Sequence, residues 1–440
     1  MERSSRVPGF HKLSISERRQ FLKDFCDLTE DDMALLEKPG ALDLETADRM
    51  IENVIGTFEL PLGLVPNMKV NGKDYLIPLA VEESSVVAAL ANAANMTRSG
   101  GGFFASTSGP IMIAQIQCVN VTDPFSAKLR ILERRDEIIS IANERDPILV
   151  KLGGGCRDVE VRVLDSIVGS MVVTHIVVDT RDAMGANAVN TMAEALAPYI
   201  EKWTGGRVYL RILSNLADRR LARARCIVKR EAIKPGPEVI DGIITAWAFA
   251  ETDPYRAATH NKGIMNGITP LVIATGNDFR AIEAGAHAYA ARSGRYRSLT
   301  TWEKTTEGDL AGSIELPMAV GLVGGVTMMH PLARLVVKIL GVRHATELAE
   351  IIAAVGLCQN LAALRVLAAE GVQRGHMSLH AKNIAFMAGA VGDMIDMVAA
   401  RLIAEGNIRM DRAKEIIDEL RGKTEAPKTG PQDDASKIPV

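Results

Sequence analysis

The stretch Met171-Val172-Val173-Thr174-His175-Ile176-Val177-Val178-Asp179, continued by Thr180-Arg181-Asp182-Ala183-Met184-Gly185-Ala186-Asn187, carries the strongest structural signal in this chain. Its first nine residues are nearly all strand formers, and the glycine-bearing turn after them opens a segment from Ala188 to Trp203 with helical patterning. Upstream, across a polar turn, Val159 to Leu164 is a second strand. Before it lie a helix from Phe125 to Glu144 and a strand from Ile111 to Val119, and after Trp203 a strand runs from Val208 to Leu213. The order β-α-β-β-α-β is the split βαβ, or ferredoxin-like, arrangement. Residues 110–218 are therefore expected to form an inserted domain.

The flanks read differently. Residues 1–60 are mostly helical in pattern, with Ser14-Ile15-Ser16-Glu17 and Thr29-Glu30-Asp31-Asp32 as helix starts. Tyr75 to Val81 is a short apolar strand. Through Glu82-Glu83 it enters a helix that Ser84 and Ser85 can cap and that runs to Thr97. Ala88, Ala89, Ala91, Ala93 and Ala94 give that helix little side chain, so close packing at the centre of a domain is expected, and Gly100-Gly101-Gly102 ends it. From Leu221 to Gly371 helices such as Phe279–Ala291 and Ala345–Leu367 alternate with Gly-rich connections. Ala381–Glu405 and Arg409–Arg421 form a separable helical end. The expected plan is α+β. Residues 1–109 and 219–373 make a large, mostly helical domain, 110–218 a small one, 374–422 a C-terminal helical flap and 423–440 a disordered tail.

With 440 residues and a formal net charge of −3, the chain has no general affinity for polyanions, which argues against nucleic acid as a partner. The N-terminal residues lack a continuous apolar core, so no secretory signal is expected and the mature chain should start near Met1. Met318–Leu340 is interrupted by His330-Pro331, Arg334 and Lys338, which argues against a membrane span. Five cysteines without C-x-x-C spacing fit reduced thiols in the cytoplasm.

Several residues could carry chemistry. Lys262 stands in Thr259-His260-Asn261-Lys262-Gly263-Ile264-Met265-Asn266-Gly267, a poor setting for a solvated lysine. Sixteen residues on, Gly276-Asn277-Asp278 offers a carboxylate that could equally cap the helix from Phe279. A cation near an acid can polarise a carbonyl. Glu82-Glu83 precede a helix and could simply complement its dipole. The turn Arg181–Asn187 offers a helix start to an anion such as a pyrophosphate, or uses its glycine for geometry alone. A G-x-G-x-x-G after a strand and a Walker A sequence are both missing. Gly153-Gly154-Gly155-Cys156 could present a nucleophilic thiol on a flexible turn, for acyl transfer, or an incidental one. His376 and His380, at i and i+4 in Gly375-His376-Met377-Ser378-Leu379-His380, could ligate metal, but Met377 stands where a zincin has glutamate, so no metal is expected.

Taken in order, Glu52-Asn53-Val54-Ile55-Gly56-Thr57, Val81–Ser85, Gly100–Phe103, Asp182–Asn187, His260–Gly263, Gly276–Asp278 and Gly375–Met377 resemble the motifs of 3-hydroxy-3-methylglutaryl-coenzyme A (HMG-CoA) reductases. The similarity is to the class II enzymes of bacteria and archaea and runs from about Arg6 to Arg421. It implies conversion between HMG-CoA and mevalonate plus CoA with two NAD(P)H, through hemithioacetal and mevaldehyde. The small domain would be a dinucleotide-binding domain that is not a Rossmann fold.

By that resemblance Glu83, Lys262, Asp278 and His376 are the catalytic residues. Lys262 would stabilise charge on the carbonyl oxygen, Asp278 would keep it charged and oriented, Glu83 would deliver a proton, and His376, on the flap, would protonate the departing CoA thiolate. Ser85, Arg256 and Asn266 would hold substrate, and Asp182, Met184, Gly185, Asn187 and Asn215 the dinucleotide. Asp146 matches an acidic position that favours NADH by accepting the ribose 2′-OH. Arg145, Lys151 and Arg157 leave NADPH possible. Preference for NADH leans towards mevalonate breakdown, and either direction stays open. Ser84 stands where some relatives have proline, with little expected effect. A homodimer with active sites at its interface is the minimum assembly. Two other readings are a CoA-dependent acyltransferase using Cys156 and a CoA- or nucleotide-binding protein without turnover.

Overall fold

Ser14 and Thr29 start the first two helices as the sequence predicts. In α1 (Ile15–Cys26) and α2 (Glu30–Glu37) each hydroxyl accepts the N3 backbone N–H, while the Glu17 or Asp32 carboxylate accepts the cap N–H in return. A third short helix, α3 (Leu44–Met50), follows. The structure is a computed structural model that describes residues 3–369 and 372–424; for Ser84, 372–379 and 422–424 it describes the backbone alone.

Strand β1 (Leu62–Val70) was not expected, because Gly63 and Pro66 interrupt its pattern. It pairs antiparallel with β2 (Lys73–Ala80), and the register slips between Val65 and Met68, where Pro66 falls. Helix α4 (Ser84–Thr97) packs on β1, its Leu90, Ala93 and Ala94 fully buried as its small residues suggest. β3 (Phe103–Thr107) closes this first part.

The inserted unit comes next: β4 (Ile111–Val119), α5 (Pro124–Leu132), α6 (Arg135–Asn143), α7 (Pro147–Lys151), β5 (Gly155–Leu164), β6 (Met171–Asp179), α8 (Ala186–Thr204) and β7 (Arg207–Leu213). Its sheet has the order β5-β6-β4-β7 with every pair antiparallel, which is the ferredoxin-like arrangement. The helix expected over Phe125–Glu144 is two helices. At the break the Arg134 amide bonds back to Ile131 O, and the Arg134 side chain takes the carbonyl of Arg130 instead.

The chain then returns to the first sheet through β8 (Leu221–Val228), α9 (Val239–Thr252), α10 (Pro254–Ala274), α11 (Phe279–Ala290), β9 (Thr300–Lys304) and β10 (Leu310–Pro317). The six strands lie in the order β2-β1-β3-β8-β10-β9, with β1–β3 the one parallel pair. After α12 (Gly325–Met329) and α13 (Pro331–Leu340), the helix α14 (Ala345–Ala369) runs through the core against α4, α9, α10 and strands β3, β8 and β10. By length and apolarity α14 could cross a bilayer, but 72% of its most apolar window is buried inside the protein.

A second compact unit begins at Glu370. Helices α15 (Val372–Met387), α16 (Asp393–Glu405) and α17 (Met410–Thr424) pack around their own core of Ile384, Val398, Leu402, Ile416 and Ile417. The helix expected from Ala381 to Glu405 is broken near Gly389, whose φ of +99° ends α15. The tail from residue 425 onward lies outside the described residues.

Candidate active site

Leaving β2 at Ala80, the chain reaches Glu83, which occupies the N-cap of α4 without making a side-chain cap bond. Its carboxylate faces α10 instead. Oε1 accepts from Ser85 Oγ at 3.3 Å, and Oε2 lies 3.5 Å from Lys262 Nζ. Ser85 therefore serves the acid rather than the helix end.

Lys262 sits in the middle of α10, a helix that its Gly- and Asn-rich sequence does not announce. Asp253 caps this helix by accepting from Arg256 N, and Pro254 opens its first turn. Gly267 belongs to the packing: a Cβ there would lie 2.9 Å from Gln359 Cβ on α14, so the two helices touch backbone to side chain. Asn266 follows Lys262 by one turn. Half-buried Arg256 has its pKa lowered by burial, and its guanidinium makes no hydrogen bond or ion pair among the described residues.

Two neighbours of Lys262 pin the helix. His260 Nε2 is 2.8 Å from Ser298 Oγ and 2.9 Å from Thr300 Oγ1, while Asn261 bonds Arg297 O and Leu299 N. Burial pushes His260 down to about 3, so it is neutral. His260 and Asn261 were visible in the sequence as part of a motif, yet nothing there distinguished them as supports for an exposed lysine.

Asp278 takes the capping role that the sequence left open. It accepts from the Arg280 and Ala281 amides and pairs with Arg280 Nε at 3.0 Å, which holds its carboxyl below the usual range. Lys262 and Asp278 form no ion pair among the described residues. Lys262 precedes the end of α10 by twelve residues, about 18 Å along the axis at the usual helical rise. The bond from Thr269 Oγ1 to Glu283 Oε1 sets α11 back alongside α10, leaving Asp278 at the far end. His376 lies on α15 in the second unit, and its side chain is outside the described residues.

Of the residues expected at the dinucleotide, Met184, Gly185 and Asn187 lie at the start of α8. Gly185, at φ +97°, occupies its N-cap, and Asn187 is exposed in its first turn. Met184 is part-buried just before it. The Asp182 carboxylate is turned away to α14, accepting from Ala345 N at 2.8 Å and lying 3.2 Å from His344 Nδ1. Asn215 is exposed in the loop after β7. Asp146 caps α7 through Leu149 N at 2.9 Å.

Cys156 is not on a flexible turn. It is buried in β5, its Sγ faces the Asp158 carbonyl, and burial pushes the thiol up to about 11, so little thiolate exists at neutral pH. The acyltransferase reading lacks a nucleophile. Among the described residues no group of three or more His, Cys, Asp or Glu side chains is placed to hold a metal.

The described residues combine an α+β body that presents an accessible lysine–glutamate pair with a four-stranded ferredoxin-like unit whose helix α8 starts at Gly185. Residues 14–381 match the family described as hydroxymethylglutaryl-coenzyme A reductase. The chain is 58% identical over 418 residues to 3-hydroxy-3-methylglutaryl-coenzyme A reductase of Archaeoglobus fulgidus, covering 95% of each, and 36% identical to a probable one of Borreliella burgdorferi, covering 90% of each. The Streptococcus pneumoniae reductase has a TM-score of 0.81 at 42% identity, covering 94% of this chain and 99% of that one. A class II reductase structure from the same organism, bound to NADPH in open conformations, has a TM-score of 0.80 at 42% identity, covering 93% of this chain and all of that one. The chain belongs to the HMG-CoA reductase family. Its activity is the interconversion of HMG-CoA and mevalonate plus CoA with a nicotinamide dinucleotide.

Proposed function

We propose that Lys262 polarises the substrate carbonyl, first of the thioester and then of the aldehyde, with Glu83 as its proton-exchanging partner. The observation that carries this reading is the 3.5 Å approach of Lys262 Nζ to Glu83 Oε2 at an accessible surface. When negative charge grows on the carbonyl oxygen, an ammonium fixed beside it stabilises the transition state. The dinucleotide supplies hydride for each reduction. Glu83 is placed to pass a proton to the oxygen through Lys262, and Ser85 Oγ orients its other carboxylate oxygen. Arg256, whose guanidinium has no partner among the described residues, suits the free carboxylate of the HMG group, and Asn266 adds a neutral donor on the Lys262 side of α10. His376 is assigned to protonate CoA sulfur as it leaves.

The reading extends to a homodimer. In one chain Asp278 is about 18 Å down the helix from Lys262, so a site using both draws on two copies. The segment after α3 supports this, since Ile51, Ile55 and Phe58 are exposed there outside regular secondary structure. For the dinucleotide, the open amides at the start of α8 suit a pyrophosphate. We assign NADH as the preferred form. Arg157 and Arg181 are both drawn onto the Gly153 carbonyl and Asp179, which keeps them from a 2′-phosphate, and Asp146, at the N-cap of α7, is assigned to the ribose 2′-OH. The cysteines are free and four of the five are buried, as a reduced cytoplasmic setting allows.

The test is absorbance at 340 nm with HMG-CoA and either NADH or NADPH, read alongside release of free CoA thiol. Two dinucleotides oxidised per thiol released is the expected ratio. A folded dimer that oxidises neither would end the assignment.

A further inference from the structure

We propose that Arg220 is a positioning residue for the dinucleotide, holding the turn between β6 and α8 in the shape that opens its amides to the cofactor and fixing that turn relative to Asp278. This rests on the assignment of the dinucleotide to the start of α8.

Arg220 lies in the loop between β7 and β8 and is only 4% exposed. A buried guanidinium usually needs a carboxylate to offset its lost hydration, but Arg220 has none within ion-pair distance among the described residues. Burial pulls it down to about 10, which leaves it charged at neutral pH. Its acceptors are Thr180 Oγ1 at 2.9 Å, the carbonyls of Ala183 at 3.2 Å and Met184 at 3.1 Å, and Val320 O. Three of the four belong to one turn.

The consequence follows from peptide geometry. In a planar trans peptide the N–H points opposite to the carbonyl. Drawing the Met184 carbonyl towards Arg220 therefore directs the Gly185 N–H the other way, beside the unpaired first amides of α8. The Gly185 N–H has no hydrogen-bond partner among the described residues.

The fourth acceptor extends the clamp. Val320 belongs to the segment after β10, where Met318 N donates to Arg220 O and Leu322 N donates to Asp182 O. In the same segment Gly321 N donates to Asn277 Oδ1, next to Asp278. A Cβ on Gly321 would lie 2.4 Å from Met184 N, so the segment fits tightly against the turn. Arg220 thus sits where the cofactor turn, this segment and the Asp278 loop are joined.

The experiment compares NADH and HMG-CoA dissociation constants in the full-length protein, by fluorescence and calorimetric titration, for Arg220→Lys, Thr180→Val and Asn187→Ala. Lysine keeps the charge but cannot span all four acceptors, and valine removes one acceptor at nearly constant volume. Arg220→Lys is expected to weaken NADH about tenfold and Thr180→Val about threefold, with HMG-CoA affinity within about twofold of wild type. Should Arg220→Lys not fold, Thr180→Val decides by the same criterion. Unchanged NADH affinity, or equal weakening for both ligands, would overturn the role of Arg220. Asn187→Ala separates the two levels: if it weakens NADH while the other variants do not, only the Arg220 inference fails. If it has no effect, the dinucleotide is not at α8 and both fall.

Discussion

Lys262 Nζ and Glu83 Oε2 stand 3.5 Å apart although 179 residues separate them in the chain, which joins the middle of α10 to the N-cap of α4. The lysine side chain is 65% exposed and the glutamate 37%, so solvent screens the pair and it adds at most about 1 kcal/mol to stability. Its position is better explained by chemistry. Lys262→Ala is therefore expected to lower kcat by about 10² to 10³-fold while the melting temperature and HMG-CoA affinity stay near wild type. Loss of kcat matched by a large loss of stability would point to a structural lysine.

Asp74 presents the opposite case. Burial alone would raise its pKa, but hydrogen bonds from Arg98, Ser5 Oγ and Ser5 N outweigh that and hold its carboxyl below the usual range. Because the folded-state pKa is the lower one, the stabilisation is complete above the unfolded value of about 4 and is lost as pH falls through the folded value. Asp74→Asn should cost about 3 kcal/mol at pH 7 by leaving Arg98 short of its partner. In urea melts the gap between mutant and wild type should close towards pH 2. A gap that persists there would mean that the ion pair is not its source.

The ferredoxin-like unit was legible because its strands are rich in β-branched and apolar residues, nearly continuous in β6 and alternating with charged ones in β5, and the two main helices fall between them. The N-terminal caps were legible for the same local reason. Helix α10 was not, because Gly263, Gly267, Asn261 and Asn266 are poor helix formers, and their compensation lies in contacts with α14 and the Arg297–Thr300 segment that no local pattern records. Strand β1 was lost to Pro66 in the same way. For the site, the types at 83, 262 and 278 were readable, but the distance from Lys262 to Asp278 was not. Sixteen residues can span a turn or most of a helix. Arg220 gave no signal at all, since one arginine among Asp218-Arg219-Arg220 looks solvated until its burial is known.

Cys156 gives an inexpensive check on the chemistry. With its thiol buried and pushed up to about 11, it should resist alkylation in the folded enzyme and react only after denaturation. Cys156→Ser is expected to keep activity within about twofold, at a stability cost of about 1 to 2 kcal/mol for the buried hydroxyl. Loss of all turnover without unfolding would revive the thiol as a nucleophile.

Asp146 must be altered without removing its cap on α7. Asparagine keeps an oxygen for Leu149 N while deleting the charge. Asp146→Asn is expected to raise kcat/KM for NADPH about tenfold relative to NADH, since a carboxylate near the ribose repels a 2′-phosphate. An unchanged ratio with normal stability would reduce Asp146 to a helix cap.

In one chain Lys262 lies in the middle of α10 and Asp278 beyond its C-terminal end, at the N-cap of α11, and their cooperation can be tested by mixing. Lys262→Ala and Asp278→Asn should each be nearly inactive, the second retaining an N-cap oxygen for α11 so that loss of folding does not confuse the result. If each site takes Lys262 from one copy and Asp278 from the other, a mixed dimer holds one doubly altered site and one intact site. Co-expression in equal amounts makes about half the dimers mixed, so about a quarter of wild-type activity should return. Sites built within single chains would return none, whatever the mixing ratio, because every chain carries one lesion. Recovery that scales with the mixed dimer isolated through two affinity tags would place the two residues on either side of the interface.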